Sequence, residues 1–96
     1  MYPKEELFGM VLQIRRSAVL IAANIAEGHG RESTGLVIQF LRTAQGSLKE
    51  LETHLLLSQR VQLADSAAIQ PCIDRCDPLG RMLRSLIRSL QGRSGQ

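Results

Sequence analysis

The sequence predicts an all-α protein, an up-down antiparallel helical bundle built here from three long helices. Three observations predict it. Apolar residues recur at alternating steps of four and three along most of the chain. Glycines and capping residues interrupt that rhythm twice. No segment alternates apolar and polar residues as a strand would.

The first helix is expected over about residues 4–27. Leu7, Val11, Ile14, Ala18, Ile21 and Ile25 fall on one stripe. Gly28 and Gly30 follow, and glycine accepts the left-handed conformation that closes helices. The second helix is expected over about 34–62, with Ser33 or Thr34 supplying the cap. Its stripe is Val37, Leu41, Ala44, Leu48, Leu51 and Leu55. The third is expected over about 66–91, capped by Asp65 or Ser66. Ile69, Cys72, Cys76, Leu79, Leu83, Leu86 and Leu90 form its stripe. Pro71 and Pro78 interrupt that helix and predict a kink or break near one or both, because proline removes a hydrogen bond and clashes with the preceding turn. Residues 92–96 read as a flexible tail, so one helical domain occupies 1–91. Connections this short favour antiparallel neighbours.

The stripes are wider than three helices require. Phe8, Leu12, Val19, Ala22 and Ala26 add a second stripe to the first helix, and Leu36, Ile38, Phe40 and Leu56 broaden the second. A helix in a three-helix bundle needs an apolar arc of only about 100–140°. The surplus predicts a fourth helix, a subunit interface, or both.

Composition narrows the function. The chain has 96 residues, 44% hydrophobic and 22% charged, which is one small globular domain with a marginal core. Aromatics are 3%, namely Tyr2, Phe8 and Phe40, too few for a base-stacking platform. No run of eighteen apolar residues predicts a membrane span, and the N-terminus does not read as a signal peptide. The expected location is therefore cytoplasmic, with no membrane partner. Net charge is +3. From Pro78 onward there is no acid, while Arg81, Arg84, Arg88 and Arg93 all lie there. Such an end meets phosphate, an acidic partner or only water.

The sequence carries no recognisable catalytic motif. His29 and His54 are isolated, and no helical Glu-x-x-His pair is present, so no metal site and no cofactor are expected. Cys72 and Cys76 have no second pair and read as buried thiols. Ser47 lacks a nucleophile-elbow context, and Gly28-His29-Gly30 lacks the phosphate-loop lysine. The weak acid–base candidate is Glu27 with Asn24.

Polar residues in awkward places say more. Arg15 falls among Phe8, Leu12, Val19 and Ala22, and must be paired, with Glu50 or Glu52 as candidates, or lie at a wet interface or against phosphate. Asn24, Glu27 and Arg31 cluster at the first turn. A carboxylate at a helix C-terminus opposes the dipole, so Glu27 calls for a partner such as Arg31 or an N–H of the next helix. Gly46 costs its helix about 1 kcal/mol relative to alanine, which close approach of another backbone would explain.

These residues carry a recognisable order. Gln13-Ile14-Arg15-Arg16-Ser17-Ala18 comes first, then Ala23-Asn24-Ile25-Ala26-Glu27-Gly28 and Gly30-Arg31. Phe40-Leu41-Arg42-Thr43-Ala44-Gln45-Gly46-Ser47-Leu48-Lys49-Glu50-Leu51-Glu52 completes it. The pattern resembles the bacterial four-helix bundle family also called the 23S rRNA-intervening sequence protein. The resemblance spans nearly the whole chain and weakens after about Gln62. It implies a non-enzymatic homo-oligomer, a pentamer, and makes Arg15, Arg16, Asn24, Glu27, Gly28, Arg31, Gly46, Ser47, Glu50 and Glu52 structural or interface residues. A related family, the accessory variability protein of diversity-generating retroelements, implies by analogy RNA or DNA and a reverse transcriptase as partners. The family usually carries another helix before the segment matching Tyr2 to Glu6, so the resemblance implies a bundle without its first helix. The chain also departs from the family pattern at Ala22, where proline is usual, and at Leu36, where an acid completes a capping box.

Two functions follow as expectations. One is an oligomeric bundle that binds nucleic acid through Arg81, Arg84 and Arg88, which lie within about 60° of one another on a helical wheel. The other is a protein–protein scaffold that binds no nucleic acid.

Overall fold

The computed structural model describes residues 4–94. It is helical throughout, with α1 at Lys4–His29, α2 at Thr34–Arg60 and α3 at Ser66–Ser94, and no strand among the described residues. Each start has a local cause. Ser33 caps α2 by accepting the Leu36 N–H on its Oγ at 3.4 Å. Asp65 caps α3, its side chain accepting the Ala67 N–H at 3.2 Å and its carbonyl those of Ala68 and Ile69. The end of α2 is closed by the Leu63 N–H donating to the Ser58 carbonyl and the Gln62 N–H donating to that of Gln59. That is a Schellman pattern, and it places Gln62 at φ 60°, a left-handed position usually held by glycine.

Both turns are short, so the helices alternate in direction. Ser17 meets Glu50 across α1 and α2, and Gln59 reaches Ser66 and Gln70 across α2 and α3. α2 lies in the middle and packs against both neighbours, whereas α1 and α3 nowhere bring their Cα atoms within 8 Å. The result is an open layer of 55 × 21 × 14 Å rather than a closed three-helix bundle. Its core follows the predicted stripes at Ile21 on α1, Leu41, Ala44, Leu48 and Leu55 on α2, and Ile69, Cys76 and Leu83 on α3, but the last turns of α3 bury Ile87 where the stripe named Leu86, which is 45% exposed.

A layer one helix thick covers little. Nine large apolar side chains remain exposed among the described residues, including Phe8 at 66%, Val19 at 64% and Met82 at 65%. The surplus arcs seen in the sequence are thus uncovered surface within this chain.

Several expectations change. α3 is continuous across Pro71 and Pro78, so no break occurs. Each proline instead denies one carbonyl, that of Ala67 or Asp74, its usual donor four residues on. α3 also takes in residues 92–94, where the tail was expected to begin; residues 95–96 lie outside the described part, as do Met1, Tyr2 and Pro3. Gly28 and Gly30 do not use a left-handed backbone, since no glycine among the described residues has positive φ. Gly28 is inside α1, buried, and a Cβ there would lie 3.1 Å from Phe40 Cβ and 3.5 Å from the Val37 carbonyl. Its role is to let α1 and α2 approach.

α1 reaches the length and mean hydropathy (1.2) of a membrane-crossing helix, which the search for unbroken apolar runs did not anticipate. Arg15 and Arg16 sit near its midpoint, where a bilayer centre penalises each cation by about 2.5–3.5 kcal/mol on insertion scales. That penalty argues for α1 as a packed or interfacial helix.

Candidate nucleic-acid interface

The basic residues of α3 are placed by its apolar seam. Cys76, Leu83 and Ile87 are buried against α2, which leaves Arg81, Arg84 and Arg88 exposed. The three are not equivalent. Arg81 Nε forms an ion pair with Asp77 Oδ2 at 3.2 Å, one turn away, and both side chains are largely solvated. Such a pair contributes little to stability but occupies the guanidinium. Arg84 and Arg88 have no carboxylate partner among the described residues.

α2 brings a second set of cations to the same place. Arg42, Gln45, Gly46 and Lys49 follow the i, i+3, i+4, i+7 spacing of one helix face. With Gly80 and Arg84 of α3 they line a groove of about 480 Å³. Glu52 and Asp77 lie at the same groove. Lys49 Nζ stands 4.0 Å from Glu52 Oε1, the outer limit of an ion pair. Arg42 has no ion-pair partner among the described residues. Sequence reading grouped Arg81 with Arg84 and Arg88 and missed Arg42. The helical spacing on α2 held that signal, but only the α2–α3 register shows that it faces α3.

The residues of the Asn-Ile-Ala-Glu-Gly segment do other work. Glu27 Oε2 accepts from Arg31 Nη2 at 2.7 Å, as the dipole argument expected. The Arg31 guanidinium also lies 5.2 Å from the Phe40 ring centroid, tying the first turn to α2. Asn24 turns away and donates through Nδ2 to the Leu20 carbonyl at 2.8 Å. Glu27 and Asn24 therefore do not converge as an acid–base pair.

Arg15 pairs with neither proposed acid. It is exposed, Glu50 instead accepts from the buried Ser17 Oγ at 3.4 Å, and Glu52 faces Lys49. Arg16 is exposed as well, and Ser47 is buried at 8% exposure. Within the described residues of this chain no backbone approaches Gly46: a Cβ there would meet nothing within 4 Å.

The two cysteines differ. Cys76 is buried, donates to the Cys72 carbonyl at 3.4 Å, and has its thiol pushed up by burial first, then by Glu52 and Cys72. Cys72 is exposed, against the expectation of two buried thiols. Near the far end of α2, His54 joins Met10, Gln13 and Leu57 around a second hollow of about 450 Å³, and its Nδ1 is buried without a hydrogen-bond partner. No group of three His, Cys, Asp or Glu side chains among the described residues is arranged to hold a metal ion.

No curated protein matches the chain. The model of the family described as 23S rRNA-intervening sequence protein matches residues 1–85. That range takes in α1, α2 and most of α3, including Arg42, Lys49, Arg81 and Arg84, and the chain belongs to this family.

Proposed function

We propose that this member of the 23S rRNA-intervening sequence protein family acts without catalysis, as a cytoplasmic homo-oligomer that binds RNA or DNA through arginines on α3. The observation that carries the reading is the pair Arg84 and Arg88, exposed and without acid partners among the described residues. A guanidinium left unpaired on a basic helix end is suited to phosphate oxygens, which it meets in bidentate fashion. Self-association multiplies that surface. It also covers Phe8, Leu12 and Val19 of α1, which a thin layer leaves in water. The pentamer implied by the family resemblance is the assembly we propose.

Binding to a single-stranded RNA and to duplex DNA is measured over a salt series, with the parent and with Arg81, Arg84 and Arg88 changed to glutamine. Affinity of the parent falls steeply with salt, by about 0.7–0.9 log units per log of salt for each phosphate neutralised. The triple variant loses most of the affinity and flattens the slope by about two to three. Equal affinity in the two proteins refutes the arginine site.

A second reading has its own support. The exposed Phe8, Val19 and Met82 fit a protein-binding scaffold as well as they fit self-association. An oligomer in sedimentation with no nucleic-acid binding at low salt selects the scaffold.

A further inference from the structure

We propose that the groove between α2 and α3 is a phosphate-binding site, with Arg42, Lys49 and Arg84 holding the phosphate oxygens over a floor made by Gly46 and Gly80. The proposal rests on the nucleic-acid reading only for the source of the phosphate.

Gly46 is the starting point. It stands inside a 27-residue helix, where glycine is unfavourable by about 1 kcal/mol. Nothing among the described residues uses the missing side chain, since a Cβ there meets open space. The opening it leaves is part of the groove of about 480 Å³. Gly80 on α3 faces the same space. A Cβ on Gly80 would touch Arg84 Nη1 and Leu48 Cδ2, both at 3.5 Å, so the guanidinium lies along α3 over the bare backbone.

Charge then selects the occupant. The groove carries three cations against two carboxylates, a net positive lining in which Arg81 offsets Asp77 from outside at 3.2 Å and Lys49 stands 4.0 Å from Glu52, at the outer limit of an ion pair. Arg42 and Arg84 are left to whatever enters. An apolar helix laid there would strip water from two unpaired guanidiniums, which is costly. A phosphate offers each of them a bidentate acceptor and satisfies both. Half-buried Gln45 adds a neutral amide donor at the same wall.

The test uses the full chain and two probes, a 12-nucleotide single-stranded RNA and adenosine 5′-monophosphate. Gly46→Met fills the groove and improves helix propensity, so the fold is kept; its melting temperature and sedimentation are recorded beside the binding. Gly46→Met is expected to weaken RNA binding at least tenfold, and Arg42→Gln about fivefold, with melting temperatures equal to or above the parent's for Gly46→Met. Competition of the monophosphate with RNA marks a site for terminal phosphate; RNA binding alone marks a phosphodiester site; both support the groove. Parental affinity in both variants overturns it. If Arg88→Gln loses affinity while these two do not, the groove fails and the broader arginine reading stands. A parent that binds neither probe removes both. A change of oligomeric state in Gly46→Met, with RNA affinity unchanged, places a second copy in the groove and overturns the proposal.

Discussion

The seam between α1 and α2 and the groove between α2 and α3 each contain a helical glycine, and the two glycines have opposite surroundings. At Gly28 the neighbouring helix arrives so closely that a Cβ would press on Phe40 Cβ at 3.1 Å. At Gly46 a Cβ would meet open space. The first glycine is explained inside the chain, by packing. The second is used by no contact among the described residues. Sequence alone presents the same signal at both, an interruption of helix propensity, and only the third dimension separates a close approach from a vacant one.

That contrast can be broken or sharpened by experiment. The largest effect is expected at the seam. Gly28→Leu forces α1 away from Phe40, whose Cβ cannot move without its backbone, and should lower unfolding free energy by about 2 kcal/mol in a denaturant titration. A neutral result would erase the distinction between the two sites. Gly46→Ala should change stability in the other direction, raising it by about 1 kcal/mol, because helix propensity improves and nothing is displaced. A loss of stability there would show that the groove is filled in the protein as it exists in solution. Arg31→Ala removes the ion pair to Glu27 and the stacking on Phe40 and should cost about 0.5 kcal/mol, since both contacts are solvated.

The smallest effect is expected at Cys76. Burial raises its thiol pKa in the folded state, so the unfolded chain loses this proton first as pH rises. The neutral thiol's contribution is therefore fully present below the ordinary thiol range near pH 9 and is lost as pH rises through the raised value. Melting temperatures between pH 8 and 10 should fall more for the parent than for Cys76→Ala. Under native conditions an alkylating reagent should modify exposed Cys72 well before Cys76.

How much was legible follows the same division. The helices and their apolar seams could be read because a 3.6-residue period is a local property, and Ile21, Leu41, Leu48, Leu55 and Leu83 are buried as their stripes predict. The Glu27–Arg31 pair was legible because helix-end electrostatics is local too. Arg15 was not. Its place in a wide apolar arc called for an acid partner, a wet interface or a phosphate; the acid partner is absent among the described residues, because that arc is itself uncovered and the guanidinium is exposed. Pro71 and Pro78 do not break α3 as one reading of them allowed: loss of one donor apiece is tolerated by a helix whose other face is anchored at Ile69, Cys76 and Leu83. Arg42 escaped notice because its significance depends on the register between α2 and α3, which no local pattern encodes.

The position of α2 has a consequence for how the molecule opens. Because the α1 and α3 backbones nowhere approach within 8 Å between Cα atoms, each can detach while the other stays docked on α2. α2 is the only element whose release requires both to let go. Local opening should thus begin independently at the two outer helices, with α2 amides the slowest to exchange with solvent. A protein built this way behaves as two helical hairpins sharing one arm, and the shared arm sets the cooperativity of the whole.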